Sequence, residues 1–246
     1  MAYQDRYCAF VDILGFRNLI KSLDDPNSKI TPKDVSGIFD TMQKAILVGL
    51  PVVEEDDIKL AAISDAICLS SAVTANGLET ILKCLVDLTL FLLVHGYFVR
   101  GGLVKGKLEH DRNAVFGSAL VRAVDIENRT AHFPRIMIMR DVYLDMIRAH
   151  AAGNYLADWA QRADDGPMFL HPLAKLVSFM SLAKDQAQVD QIAMSFNPMA
   201  GKIQQRLDEA TDEPRHFEKV QWFARYWNRS VANYRKDILA ITGPGM

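Results

Sequence analysis

Asp12 and Asp65 each lie inside a short apolar run. The runs are Tyr7-Cys-Ala-Phe-Val-Asp-Ile-Leu-Gly-Phe16 and Ile58-Lys-Leu-Ala-Ala-Ile-Ser-Asp-Ala-Ile-Cys-Leu69. Both are apolar with β-branched residues and read as β-strands. A carboxylate in a buried strand is costly unless something pairs with it. Two of them on neighbouring strands repel each other, and a divalent cation with oxygen ligands relieves that repulsion. Such a pair suits metal-dependent phosphoryl transfer. A plainer reading stands beside it: two strand-end aspartates that cap turns or pair with arginine.

The elements that must position this pair follow from periodicity. After the first strand, Arg17 to Leu23 is helix-like. Thr31-Pro32 then reads as an N-cap with Pro at the first helical position. Val35, Ile38, Phe39, Met42 and Ile46 carry that helix to about Val48. Ile58 to Ser71 is one strand, or a hairpin bent near Ser64-Asp65. A helix from about Gly77 to His95 is capped by Gly96. Tyr97 to Gly106 is a strand whose Gly101 and Gly102 allow close backbone approach. A turn at His110 to Asn113 precedes a helix that ends near Glu127. Arg135 to Met139 is a last strand, and Asp141 to Ala152 is helical. Strands mixed with helices without regular alternation predict an α+β fold, with helices on one face of a mainly antiparallel sheet. Residues 1–150 form the expected first domain. Residues 151–246 read as a helical C-terminal region, broken at Asp164-Asp-Gly-Pro167, Asn197-Pro198 and Glu213-Pro214 and closed by Trp222, Phe223, Tyr226 and Trp227.

Composition narrows the classes of function. The chain has 246 residues, half of them hydrophobic, and a formal net charge of −2. That supports a packed core and gives no basic footprint for nucleic acid. Three cysteines without Cys-x-x-Cys spacing read as small buried hydrophobes in a reducing compartment. No signal-peptide pattern opens the chain, and the longest apolar stretch, Ile81 to Val94, is too short and too charged to span a bilayer. A cytoplasmic protein without membrane contact is expected. The six histidines show no zinc spacing and read as surface or capping groups. The aromatic run near the C-terminus reads as helix packing.

Taken in order, several pieces from Tyr7 to about Ile147 resemble the catalytic domain of class III nucleotidyl cyclases. They are Phe10-Val-Asp-Ile-Leu-Gly-Phe16, Ser64-Asp65, Arg100-Gly-Gly-Leu-Val-Lys-Gly106, Val115-Phe-Gly-Ser-Ala-Leu120 and Pro134-Arg-Ile-Met-Ile138. Within that superfamily the chain is most similar to the pyrimidine cyclases of bacterial anti-phage Pycsar systems. The resemblance implies a ferredoxin-like βαββαβ core. It also implies cyclisation of UTP or CTP to a cyclic mononucleotide that acts on a downstream effector, and a homodimer with sites at the interface. Two Mg²⁺ or Mn²⁺ ions per site would be held by Asp12, Asp65 and the Ile13 carbonyl. Leu14, Gly15 and Phe16, at a bend before a helix, would meet the β- and γ-phosphates.

The chain also departs from the family pattern. The positions that read the base in purine cyclases hold Ala61 and Ala114, which have no side-chain hydrogen bond to offer a purine. This disfavours ATP and GTP; UTP is expected ahead of CTP on family frequency alone. The positions of the family's transition-state Asn and Arg hold Val121 and Asp125. Arg100 and Arg122 are the candidates to supply positive charge in their place. For Arg122 the alternative is a solvated helix arginine paired with Asp125 or Glu127. Lys59 is either a base contact or an exposed strand lysine. Three rivals stay open: a degenerate cyclase that only binds nucleotide, a diguanylate-cyclase-like or polymerase-palm-like domain, and a non-enzymatic interaction module. The second lacks its Gly-Gly-Asp/Glu-Glu-Phe hairpin here.

Overall fold

The computed structural model describes residues 3–49, 58–63, 66–111, 113–233 and 239–243. The chain divides into two compact units. The first comprises residues 1–92 and 98–171, and the second residues 93–97 and 172–246.

The first unit is an α+β structure around one mixed sheet. Its opening strand β1 (Gln4–Ile13) is followed by α1 (Phe16–Leu23) and α2 (Pro32–Gly49). Next come β2 (Ile58–Ile63), β3 (Ala66–Ala72), α3 (Ala75–Val94) and β4 (Val99–His110). The four strands lie in the order β2-β3-β1-β4, each antiparallel to its neighbours. Two β-α-β units are thus interleaved, with β3 between β1 and β2 and with β1 between β3 and β4.

A short strand β5 (Val115–Phe116) pairs with the end of β4, and α4 (Ser118–Arg129) leads to β6 (Ile136–Ile138). β6 runs parallel to β4, which is what a helical crossover between adjacent strands produces. α5 (Arg140–Ala149) follows. The hairpin β7 (Ala160–Arg162) and β8 (Met168–Leu170) then extends the sheet beyond β6.

β1 is buried along most of its length because both of its faces are covered. On one face Cys8 joins Cys68, Val104, Leu108, Ala119 and Ala123 in a tight cluster under α4. Gly102 makes room for that helix: a Cβ there would stand 2.7 Å from Ile126 Cγ2. On the other face, the Tyr7 hydroxyl donates to Asp145 of α5 at 3.0 Å and Lys105 donates at 2.5 Å. Tyr7 and Lys105 are register partners, and side chains alternate across a strand. Helices therefore cover both faces of the sheet, not one as expected. Burial and the negative Asp145 carboxylate raise the Tyr7 phenol well above its ordinary range, so it acts as a neutral donor.

The expected boundary at residue 150 falls short, because β7 and β8 carry the sheet to Leu170. Their three-residue lengths are too short to show an alternating pattern. Arg135, 4% exposed, fastens the intervening turn with two 2.6 Å bonds to Asp165.

The second unit holds α6 (Ala174–Ser181), α7 (Gln186–Glu209) and α8 (Pro214–Ser230). The break expected at Asn197-Pro198 does not occur, and α7 runs through Pro198. Proline there leaves the Met194 carbonyl without its i+4 donor. Met194 lies on the solvent side of the helix, 62% exposed, where water can serve that carbonyl. Glu213-Pro214 does mark a boundary, with Pro214 at the start of α8. Tyr226 and Trp227 are fully buried, and Trp227 donates to the Leu239 carbonyl at 2.8 Å. The aromatic run is helix packing, as expected. Among the described residues no helix is long and apolar enough to cross a membrane.

Candidate functional site

Asp12 sits one residue before the end of β1, opposite Ala66 on one side and Arg100 on the other. Asp65 lies outside the described residues; its chain neighbour Ala66 is the residue that faces Asp12. Arg100 Nε and Nη2 each approach Asp12 Oδ2 at 3.4 Å. The same guanidinium stands 2.6 Å from Glu127 Oε1 on α4. The Asp12 carboxylate thus shares a cation with a second carboxylate. For Asp12 the plainer reading, a strand-end aspartate paired with arginine, describes this geometry.

Immediately beyond β1 the chain bends. Leu14 donates its amide to the Phe98 carbonyl at 2.8 Å, which holds the bend beside the start of β4. Gly15 takes φ +84° at the N-cap of α1, a conformation that disfavours any side chain. No side chain caps this helix, and its first turn holds no acidic residue. Its N-terminal dipole and amides are therefore suited to an anion. The Phe16 side chain is buried against Phe39, with ring centroids 5.7 Å apart. It anchors the start of the helix, so only its backbone is available to a ligand.

The donor chemistry at the end of β1 fits a hard divalent cation, with a partly exposed carboxylate at Asp12 and the backbone of Ile13 next to it. Among the described residues no cluster of three histidines, cysteines or carboxylates could hold a metal ion. The second expected carboxylate, Asp65, is outside that set.

Arg122 and Lys59 lie elsewhere on the molecule. Arg122 is half exposed; it donates to the Lys105 carbonyl at 3.1 Å and faces Asp141 at 3.5 Å. Its expected partners are engaged otherwise, Asp125 with Arg129 and Glu127 with Arg100. Lys105 is five residues along β4 from Arg100, about 17 Å of strand. Lys59 pairs with Ser70, which pairs with Cys8, four residues before Asp12. That is about 13 Å along the sheet and about 10 Å across it from Asp12. Within one copy neither residue belongs to the Asp12 group. Ala61 is packed against the core cluster, and Ala114 is exposed in the turn where Asp111 accepts from the Asn113 and Ala114 amides.

A second polar group occupies the far end of the same sheet face. Arg6, 4% exposed, donates to the Ser70 hydroxyl at 3.0 Å and to the Ser70 carbonyl at 3.2 Å. His110 Nδ1 lies 2.8 Å from the same hydroxyl. His110 is 3% exposed, which corrects the reading of it as a surface or capping residue. Burial, then the charges of Arg6 and Lys59, lower its pKa to about 4.

No protein-family model matches this chain, and no curated protein matches its sequence. The functional reading therefore stands on the residues themselves.

Glu127 was missed as part of the site, although a signal for it exists. Ala119, Ala123, Ile126 and Glu127 fall at i, i+4, i+7 and i+8, the inward stripe of a helix. An acidic residue on such a stripe needs a cation, and Arg100 is the cation it meets.

Proposed function

We propose that this chain is a class III-type nucleotidyl cyclase. It converts a pyrimidine nucleoside triphosphate, UTP ahead of CTP, to its 3′,5′-cyclic monophosphate and pyrophosphate. The product would act on a cyclic-nucleotide effector in anti-phage defence, in the cytoplasm. The observation that carries the reading is the end of β1. There an aspartate faces the residue that follows Asp65, beside an uncapped helix N-terminus that opens at Gly15. The β2-β3-β1-β4 order of the first four strands agrees with the ferredoxin-like core of that superfamily.

Asp12, Asp65 and the Ile13 carbonyl would hold Mn²⁺ or Mg²⁺. Bound there, the metal would lower the pKa of the ribose 3′-hydroxyl and offset charge on the departing pyrophosphate. The backbone at Gly15 and Phe16, where α1 opens, holds the β- and γ-phosphates; the Leu14 amide is spent on the Phe98 carbonyl. Arg100 supplies positive charge near the reacting phosphorus. The 3′-oxygen forms a bond to the α-phosphorus as the bond to the bridging oxygen breaks, and the hydroxyl proton leaves to solvent. A homodimer that shares its sites would account for Arg122 and Lys59 lying away from Asp12 of their own copy. Ala61 and Ala114 leave a purine without its usual partners.

Two observations favour a second reading, a cyclase fold that binds nucleotide without turnover. Asp12 is already paired with Arg100, and Val121 and Asp125 replace the usual transition-state side chains. Incubation of the full-length protein with Mn²⁺ and each of ATP, GTP, CTP and UTP, with products separated by mass, decides between them. A cyclic pyrimidine nucleotide that disappears in Asp12→Ala is expected. Cyclic AMP would overturn the base assignment, and no product from any of the four would favour the non-enzymatic reading.

A further inference from the structure

Three charged groups from three elements meet at one point: Asp12 on β1, Arg100 on β4 and Glu127 on α4. The two contacts of Arg100 differ in kind. The one to Glu127 is short, 2.6 Å, and the Glu127 side chain is only 5% exposed. The one to Asp12 is long, 3.4 Å, and the Asp12 side chain is 16% exposed. A cation arriving from solvent can therefore reach Asp12 far more readily than Glu127. The guanidinium itself is its rival, since both positive charges want the same Oδ2.

We propose that Arg100 is a resident counter-ion that competes with the divalent cation for Asp12. In this proposal Glu127 is the positioning residue that retains Arg100 when the cation takes that carboxylate. The proposal rests on the cyclase reading of Asp12 as a metal ligand and adds how that site is kept in charge balance. While Asp12 is without a cation, Arg100 offsets its desolvation at the strand end. Once a cation binds Asp12, Glu127 keeps a partly buried guanidinium from being left beside a doubly positive ion. The short contact means that Arg100 has little distance to travel. It stays within the site, where it can meet the phosphates.

The test is Mn²⁺ binding to the full-length protein without nucleotide, read from the electron paramagnetic resonance signal of free Mn²⁺. Arg100→Gln is expected to bind Mn²⁺ about two- to five-fold more tightly, the size of effect a partly exposed ion pair supports. Glu127→Gln is expected to bind about two- to five-fold more weakly, because Arg100 then concentrates on Asp12. The double variant should match Arg100→Gln, since Glu127 acts through Arg100. A Glu127 effect that persists in the double variant would mean a through-space charge effect and would overturn the proposal. Unchanged affinity in Arg100→Gln would overturn it as well. Loss of binding in Asp12→Asn, with no change in the other two single variants, would overturn it and leave the cyclase reading standing. Binding by neither the native protein nor Arg100→Gln would overturn both. Circular dichroism checks each variant for folding. Should Glu127→Gln fail to fold, the Arg100→Gln comparison alone decides.

Discussion

The two ends of the α4-side face of the sheet carry polar groups of opposite character. At one end Asp12, Arg100 and Glu127 form a charged group with a long, partly exposed contact. At the other, Arg6, Ser70 and His110 form a group centred on a single hydroxyl, almost closed to water. Both draw on β1 and β4; α4 completes the first and β3 the second. The first keeps a carboxylate within reach of solvent, which a site for a charged ligand requires. The second gathers Arg6 and His110 Nδ1 on the Ser70 hydroxyl, leaves His110 Nε2 buried without a hydrogen-bond partner among the described residues, and reads as a structural knot. Access to solvent, more than polarity, separates a candidate site from a polar core.

The sharpest way to break this comparison is to remove the central group at each end. Asp12→Asn should abolish nucleotide turnover in the mass-resolved assay while the melting temperature stays within a few degrees. Ser70→Ala should do the reverse: activity is kept and about 1–3 kcal/mol of stability is lost in urea unfolding, because Arg6 and His110 lose their shared acceptor or donor. If Ser70→Ala abolished activity and left stability unchanged, the assignment of the two ends would have to be exchanged.

His110 should also give the buried end a pH signature. Its folded pKa of about 4 lies below the ordinary 6.5, so the unfolded chain takes up the proton first. Stability contributed by the neutral ring is present above pH 6.5 and is lost as pH falls towards 4, to a total of about 3 kcal/mol. His171, lowered to about 4 by burial, acts in the same direction. Urea midpoints between pH 7 and 4 should fall, and less so in His110→Gln.

The contact between β1 and β4 offers a further check. A Cβ on Gly101 would collide with the Phe10 carbonyl, a backbone atom that cannot turn aside. Gly101→Ala should cost about 1–3 kcal/mol by overpacking and should lower activity by parting Asp12 from Arg100. Arg122 gives the smallest stability effect. Its half-exposed contact with Asp141 predicts a change of less than about 1 kcal/mol for Arg122→Ala. In the shared-site reading the same variant loses turnover, and mixing it with Asp12→Asn restores part of it through mixed dimers. No recovery on mixing would argue against sites built from two copies.

Much of the first unit was legible in the residues. β1, α2, α3 and α4 follow from apolar periodicity and from the punctuation of Pro32 and Gly96, and their bounds agree with those expectations to within a few residues. Asp12 was visible as a carboxylate in an apolar strand. β7 and β8 were not visible, because three-residue strands carry no period. Pro198 misled, because a proline reads as a helix break unless its exposed face is known. The pairing of Arg100 with both Asp12 and Glu127 was also out of reach, since it joins residues 88 positions apart in one case.

By itself, the order of residue types determined which segments become strand or helix, and that charged side chains would sit in apolar surroundings at Asp12 and Glu127. Local periodicity and the cost of burying charge act along the chain, so they can be read from it. Tertiary structure decided who answers those charges. Register set Arg100 opposite Asp12, and the closeness of α4 to Gly102 brought Glu127 to the same guanidinium. It also decided that Ser70 would gather Arg6 and His110 while Lys59 and Arg122 fell away from Asp12. These outcomes depend on strand register and helix approach, which arise from the packing of distant segments and leave no local trace in the sequence.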